Sequence, residues 1–490
     1  MQLTASDFYT YHRPSFCALR VYKRHHGEEE TPPGPYDEVI RELGERHEAA
    51  HVATLPGAIS LADGPRAGRE QRTQDAVANH TPAIYQAALR ATVALDGIEC
   101  EVVGDPDFLI AAEGGYLIRD AKISRRITEK DHPEMRRQVE LYGWLYERTF
   151  GQRPRRLQVH AGTGDLVELP YDGGVRALAG LREILAWKRA PAAPYSPVGW
   201  TKCGACPFQH HCWPQAEARH DVALVAGVDQ GLAIALRDIG VATYDELLTK
   251  FDEAALAAFS RPWGKGTQRV GTKAGSILRM ARALATQSEM LLGAPAIPPS
   301  QNYVMFDLEG LPPQLDELEK VYLWGLRVYG EDPGEFRAAT AGFGQHGDRE
   351  GWEAFLKEAG AIFARYGDIP FIHWHHYERV RLDMYIEHHG DQNGVAARVR
   401  GNLLDLLPIA QQSIALPLPS YSLKVFEKYL GVTRTQDEYG GNWAMAKYIE
   451  ATETGDDAQR KGVMDQILLY NKEDLQATWA VLRWLQAKGA

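Results

Sequence analysis

Tyr303-Val304-Met305-Phe306-Asp307-Leu308-Glu309 is an apolar strand pattern that ends in two carboxylates. Alternation along a strand puts Asp307 and Glu309 on one face. The run is apolar enough for the centre of a sheet, with the two acids at its edge. Farther on, Ile369 to His373 reads as a second strand leading to His376-Tyr377-Glu378. Tyr470-Asn471-Lys472-Glu473-Asp474 reads as the opening of a helix, with Tyr470 and Asp474 one turn apart. Acids from such separate elements can converge on two hard cations about 4 Å apart, the arrangement that hydrolyses phosphodiesters.

This set resembles the DEDD exonuclease branch of the ribonuclease-H-like fold, over roughly residues 300–487. The resemblance implies that Asp307, Glu309 and Asp474 are metal ligands and that Tyr470 positions water. Glu378 stands where the family has Asp, and Asp383 or Asp405 are alternative fourth ligands. Leu404-Asp405-Leu406 and Tyr421-Ser422-Leu423-Lys424 also look like this family. The competing reading is a degenerate fold kept for binding.

Toward the N-terminus, Gly104-Asp105-Pro106-Asp107 is followed by Asp120-Ala121-Lys122. Ile98 to Gly104 reads as a strand. Asp107 to Ala112 and Tyr116 to Ile123 read as a hairpin across Glu113-Gly114-Gly115. A hairpin can bring Asp107 and Asp120 side by side around one ion. Alternation puts Lys122 on the face of Asp120, where its ammonium can orient water or offset negative charge. Upstream, Gly44-Glu45-Arg46-His47-Glu48 is helical, and His47 offers a nitrogen ligand. Downstream, a helix from Pro133 to about Thr149 carries Gln138 and Tyr142 on one face. Arg156 to His160 and Leu166 to Pro170 suggest another hairpin, and a second helix covers about 174–189. Taken singly, each residue has a structural explanation: an ion-paired strand edge, a helical His, a packed Tyr.

Their order resembles the RecB-like branch of the PD-(D/E)xK nuclease superfamily. The resemblance implies His47, Asp107 and Asp120 as ligands and Lys122 as the catalytic lysine. The Ala121 carbonyl is a further ligand, and Gln138 and Tyr142 face the substrate. Asp105 is the alternative acid beside Pro106.

Cys17 lies far from Cys203, Cys206 and Cys212, which are spaced C-x2-C-x5-C. Thiolates so spaced bind zinc or iron–sulfur clusters, and His210 and His211 keep zinc open. Around a RecB-like core, the set is similar to the iron–sulfur staple of AddB-type and CRISPR-associated RecB-like nucleases. That implies a structural [4Fe–4S] cluster, with zinc as the alternative. His12-Arg13-Pro14-Ser15-Phe16 departs from the usual approach to the first ligand. Cys100 is expected as a buried core thiol.

With 490 residues, a length prior suggests about three domains. The divisions fall at 1–216, 217–295 and 300–490, the last marked by Pro295, Pro298 and Pro299. The middle segment reads as helical with a Gly-rich basic loop at 261–275. Leu224-Val225-Ala226-Gly227-Val228, Leu236 to Val241 and Thr243 to Leu248 resemble a helix–hairpin–helix element. Trp263 with Gly264, Lys265 and Gly266 is a candidate base-stacking group, against the alternative of a buried Trp.

The fold class expected is therefore α/β multidomain: a restriction-endonuclease-like N-terminal core, a helical middle and a ribonuclease-H-like C-terminal domain. The net charge of −11 argues against indiscriminate nucleic-acid coating. Local basic strips remain: Lys122 to Arg126 with Arg136 and Arg137, and Lys265, Arg269 and Lys273. No apolar run of about 18 residues and no secretory pattern is seen, and five cysteines do not make a disulfide scaffold. A cytoplasmic protein with no membrane association is expected. The function expected is a Mg2+- or Mn2+-dependent nuclease acting on DNA, at single strands or ends, in repair, recombination or defence, with a helicase or another repair or defence protein as partner. Two readings compete: a nucleic-acid-binding scaffold with one or both centres silent, and an exonuclease directed at RNA or hybrids.

Overall fold

Alternating apolar residues pair into two sheets in the N-terminal part of the chain. In order, the strands are β1 (Gln2–Thr4), β2 (Ala58–Ser60), β3 (Ala83–Tyr85), β4 (Leu89–Leu95), β5 (Ile98–Gly104), β6 (Phe108–Ala112), β7 (Gly115–Ala121), β8 (Leu157–His160) and β9 (Leu166–Leu169). One sheet has the order β1-β5-β4 and the other β2-β3-β6-β7-β8-β9. The computed structural model describes every residue except 14, 15, 205, 264, 265, 314, 316, 317, 437–439 and 490.

β6 and β7 pair antiparallel from Phe108↔Arg119 to Ala112↔Gly115. The loop between them is Glu113-Gly114, and Gly114 has φ 74°, a left-handed conformation that glycine adopts freely. β6 opens one residue after Asp107 and β7 closes one residue before Lys122. The register therefore brings Asp107 opposite Asp120. The helix Pro133–Phe150 has Pro in its first turn and ends on Gly151 at φ 69°. Its buried Leu141, Leu145 and Tyr146 pack with Ile118 of β7 and with Leu181 and Ile184 of the helix Val175–Lys188.

The helix Ala5–His12 starts with a capping box between Thr4 and Asp7. At its other end the His12 ring meets Phe8 edge-on, with centroids 4.5 Å apart. His12 Nε2 is buried without a hydrogen-bond partner. Burial, helped by the Arg137 charge, lowers the His12 pKa to about 4. The fold thus favours neutral imidazole, whereas the unfolded chain takes up a proton below about 6.5. Stability carried by this site is present above pH 6.5 and is lost as pH falls toward 4, by up to about 3 kcal/mol. Thermal melts between pH 7 and pH 4 should fall less steeply for His12→Gln than for the parent.

The second part holds β10 (Ser260–Trp263), β11 (Gly266–Arg269), β12 (Met290–Leu291), β13 (Asn302–Leu311), β14 (Lys320–Gly330), β15 (Arg337–Thr340), β16 (Phe371–His373), β17 (Leu403–Asp405) and β18 (Ile414–Ala415). Five strands form a mixed sheet of order β15-β14-β13-β16-β17. β13, β14 and β15 are antiparallel neighbours, whereas β16 runs parallel to β13 and β17 parallel to β16. β13 is buried on both faces at the sheet centre, as its near-continuous apolar run requires. The long helix Asp457–Gly489 packs against β13 and β14.

Three expectations differ from the structure. The chain divides into two compact units, Met1–Pro32 with Asp37–Ser196, and Pro33–Tyr36 with Pro197–Ala490. The expected boundaries at 216 and 295 do not separate units. Helices Gln230–Asp238, Tyr244–Lys250 and Ala274–Thr286 share one core with Ile372, Leu406 and Leu475, through residues such as Leu236, Leu247 and Ile277. The Gly-rich segment 261–275 is not a loop throughout, because β10 and β11 pair as a hairpin from Ser260↔Arg269 to Trp263↔Gly266. The C-terminal helix opens at Asp457, not Tyr470, since Asp456 accepts the first-turn amides of Ala458 (2.8 Å) and Gln459 (3.2 Å). No described helix is long and apolar enough to cross a membrane.

Candidate active site

Among the described residues, a cluster of three acids lies in the second unit. Oxygens of Asp307, Glu309 and Asp474 all lie within 4.8 Å of one another. β13 supplies the first two on one face, and the helix Asp457–Gly489 supplies the third. Gly325 is the cross-strand partner of Asp307. A Cβ there would collide with the Asn471 amide. The glycine therefore lets Asn471 Nδ2 reach Asp307 Oδ2, to which it donates at 2.7 Å. The register shifts between Glu309 and Gly310, which bends the strand just past the second acid.

Three carboxylates so close cannot all ionise without compensation. Burial first, then Asp474 and Glu309, push the Asp307 pKa well above the usual carboxylate range. Burial and Asp474 push Glu309 up to about 8. Lys424 Nζ and Arg434 Nη2 both contact Asp474 Oδ1. Arg434 also makes a two-pronged bond to Glu427, at 2.8 and 2.7 Å. Tyr470 is buried beneath these cations, with Lys424 Nζ 4.6 Å from its ring centroid. Burial and the neighbouring carboxylates of Glu309 and Asp474 raise its pKa well above 10, so its hydroxyl stays protonated.

Glu378 lies in the same neighbourhood but bonds elsewhere. Its carboxylate faces His373 Nδ1 at 3.2 Å, and that nitrogen also meets the His375 carbonyl at 2.6 Å. The charge of Glu378 still raises the pKa of Asp307 and of Glu309. Asp405 accepts the amides of His375 (2.8 Å) and Leu407 (3.0 Å), which makes it a helix cap. Asp383 pairs with Arg400 at 2.5 Å. Of the three candidates for a fourth acid, Glu378 is among the main charges acting on Asp307 and Glu309.

In the first unit, Asp107 accepts the Ala121 amide at 2.8 Å, and Lys122 Nζ contacts Asp120 Oδ2. Burial, then Asp120, pushes Asp107 well above its usual range. Burial alone would lower the pKa of Lys122, but Asp120 and Asp107 outweigh it and hold the ammonium charged. Tyr142 is buried, and Asp120, Asp107 and Asp105 all act on its hydroxyl, which stays protonated. Gln138 Oε1 is buried without a partner. Asp105 itself pairs with Arg66 at 2.7 Å.

His47 and Glu48 part company on the helix Pro35–Val52. His47 Nε2 lies 3.3 Å from the His160 carbonyl, and its ring stacks on the His160 ring at 4.5 Å. Glu48 instead accepts from Tyr85 OH (2.9 Å) and Gln86 Nε2 (3.2 Å). The same Gln86 nitrogen donates to Asp107 Oδ1 at 3.3 Å. Gln86 holds φ 58°, a left-handed conformation that costs a non-glycine residue energy and clusters at functional sites. Glu48 and Gln86, unassigned from sequence, thus join the Asp107–Asp120–Lys122 group.

Of the basic strips, the first is met internally. Arg126 pairs with Asp131, Arg136 with Glu129, and Arg137 with Glu129 and Glu140. In the second, Lys265 lies outside the described residues, as do Gly264, Pro14 and Ser15. None of the five cysteines forms a disulfide; Cys100 is fully buried on β5 and the other four are partly exposed. Cys17 falls in the first unit and Cys203, Cys206 and Cys212 in the second. Cys206 N donates to Cys203 O at 3.0 Å, and Cys212 sits on the helix Gln209–Ala218.

A family model described as RNase_H superfamily matches residues 304–486. The span includes Asp307, Glu309, Glu378, Tyr470 and Asp474. An RNase H superfamily domain suggests a hydrolase of the nuclease type that uses divalent metal, and the acidic triad has the donors for one. No curated protein matches the chain. The crystal structure of SSO0001 is similar over 43% of this chain and 85% of that chain, at 15% identity and a TM-score of 0.23, too weak a likeness to assign a fold.

Proposed function

We propose that this chain is a Mg2+- or Mn2+-dependent nuclease that hydrolyses phosphodiester bonds in DNA, at single strands or strand ends. The observation that carries the reading is the convergence of Asp307, Glu309 and Asp474 within 4.8 Å. The donors are hard oxygens, are crowded, and repel one another, which suits a small dication. When bound, such an ion neutralises charge on the phosphodiester and makes water nucleophilic. Asn471 fixes the Asp307 carboxylate, and Lys424 and Arg434 fix that of Asp474. The Tyr470 hydroxyl, protonated and buried beside Asp474, is the group that orients the attacking water.

The first unit is proposed as a second, RecB-like centre with a restriction-endonuclease-like core. The reading is supported by the Asp107–Asp120 pair on one hairpin and by a charged Lys122 against it. Between the candidates on the helix Pro35–Val52, shared hydrogen bonding through Gln86 favours Glu48 over His47 as the third ligand. Gln138 and Tyr142 are the proposed substrate-side pair. The cysteine site expected from sequence is proposed to hold a [4Fe–4S] cluster, with zinc as the rival. Iron, zinc and sulfide measured per chain separate the two.

Labelled single-stranded DNA, duplex DNA and RNA, each incubated with Mn2+, test the reading. Asp120→Asn and Asp307→Asn should each remove part of the cleavage, and the double variant all of it. Cleavage of RNA alone would move the substrate to RNA. Cleavage untouched by the double variant would sink both centres.

A further inference from the structure

We infer that the β10–β11 hairpin and the recess beside it form a binding site for single-stranded nucleic acid, separate from the acidic triad but in the same compact unit. This rests on the nucleic-acid reading above. The recess opens to solvent and is lined by Asp229, Arg261, Gln268, Arg269 and Lys273 over an apolar floor that includes Leu232 and Ile277. Among the described lining residues the acid is Asp229, and its carboxylate is already paired with Arg261. That pair cancels, so Arg269 and Lys273 leave two uncompensated positive charges at the mouth. Both are exposed. In a chain of net charge −11, a cationic recess is a local feature that opposes the global field.

An aromatic group completes the site. Trp263 is 58% exposed, an unusual position for the largest apolar side chain. It lies two residues from Arg261 on β10, so both project from one face of the hairpin. The Arg261 guanidinium stands over the indole at 4.6 Å, and its hydrogen bonds to Asp229 and Gln268 hold it there. The indole is thereby supported by the guanidinium while staying 58% exposed. Arg261 both lines the recess and touches the indole, so an exposed ring flanks a recess that carries Arg269 and Lys273: the ring would stack a base while Arg269 and Lys273 take phosphates of the same strand. Such a site tolerates any sequence, because every base has a flat face.

Fluorescence anisotropy of a labelled oligo(dT), with full-length protein in EDTA so that no cleavage intervenes, tests this directly. Trp263→Ala should weaken binding about tenfold with little change in salt dependence. Arg269→Ala with Lys273→Ala should weaken it and reduce the slope of log affinity against log salt by about 1.4, or about 0.7 per lost phosphate contact. All three side chains are exposed, and unchanged melting temperatures verify the fold. Unchanged affinity and slope in both variants would overturn the inference. So would poly-glutamate binding that the substitutions abolish while oligo(dT) binding persists, which would assign the recess to an acidic protein. The nuclease reading fails separately: weakened binding in these variants, with no metal-dependent cleavage by the parent, leaves this site standing and removes the catalytic one.

Discussion

Asp307→Asn is expected to cut metal-dependent cleavage by the second unit by about 10²–10³-fold, while leaving the metal-free protein at least as stable as the parent. The two effects have one cause. Asp307, Glu309 and Asp474 crowd their oxygens within 4.8 Å, and burial raises the cost of charging them. Asparagine keeps the shape and can still accept from Asn471, but it removes one of three crowded carboxyls that burial makes costly to ionise. Each unit of carboxylate pKa displacement corresponds to about 1.4 kcal/mol, so relief on the order of 1 kcal/mol is expected without metal. With Mn2+ the order reverses. A ligand present at about 100 times its dissociation constant stabilises the folded parent by about 2.7 kcal/mol, and the variant forgoes that gain. Melting temperatures in EDTA and in Mn2+, beside cleavage rates, check both halves. Equal Mn2+ shifts in parent and variant would mean that the ion binds elsewhere.

The elements that sequence made legible are those with strong local periodicity. The strand at Ile98–Gly104 and the helix from Pro133 both stand where the pattern places them, because alternation, Pro at the first turn and Gly at the end all agree. The acids of β13 were visible since two carboxylates two residues apart on an apolar strand have few structural uses. Less legible were residues whose role depends on a distant partner. Asn471 looks like any helical asparagine until Gly325 on β14 makes room for it. Glu48 sits beside His47 in sequence, and contacts with the distant Tyr85 and Gln86 distinguish them. The helix start at Asp457 was hidden because Asp456 caps through a short polar turn of the kind that also ends helices. Domain division was obscured for a related reason. The segment 217–295 reads as a helical unit of its own, whereas the packing of Leu236, Leu247 and Ile277 continues into Ile372 and Leu475.

The largest stability effect is expected at Arg434, which no motif marks. Its side chain is 4% exposed and forms a two-pronged bond to Glu427, itself 4% exposed, while also contacting Asp474. Truncation to Ala leaves buried Glu427 without its cation and Asp474 with Lys424 alone. Loss of one partner from a buried ion pair typically costs about 3–5 kcal/mol, because the remaining charge keeps its desolvation penalty and loses its compensation. The cost here should fall near the top of that range, since the triad already repels Asp474. Arg434→Lys should recover only part, as an ammonium cannot reproduce the planar fork that meets both Glu427 oxygens. Arg434→Met combined with Glu427→Met should be far milder than Arg434→Ala, because both charges leave together and apolar side chains of similar length fill the space. Denaturant unfolding of the four proteins gives the test. A loss below about 1 kcal/mol for Arg434→Ala would place that guanidinium in solvent, and with it would go the electrostatic frame around Asp474.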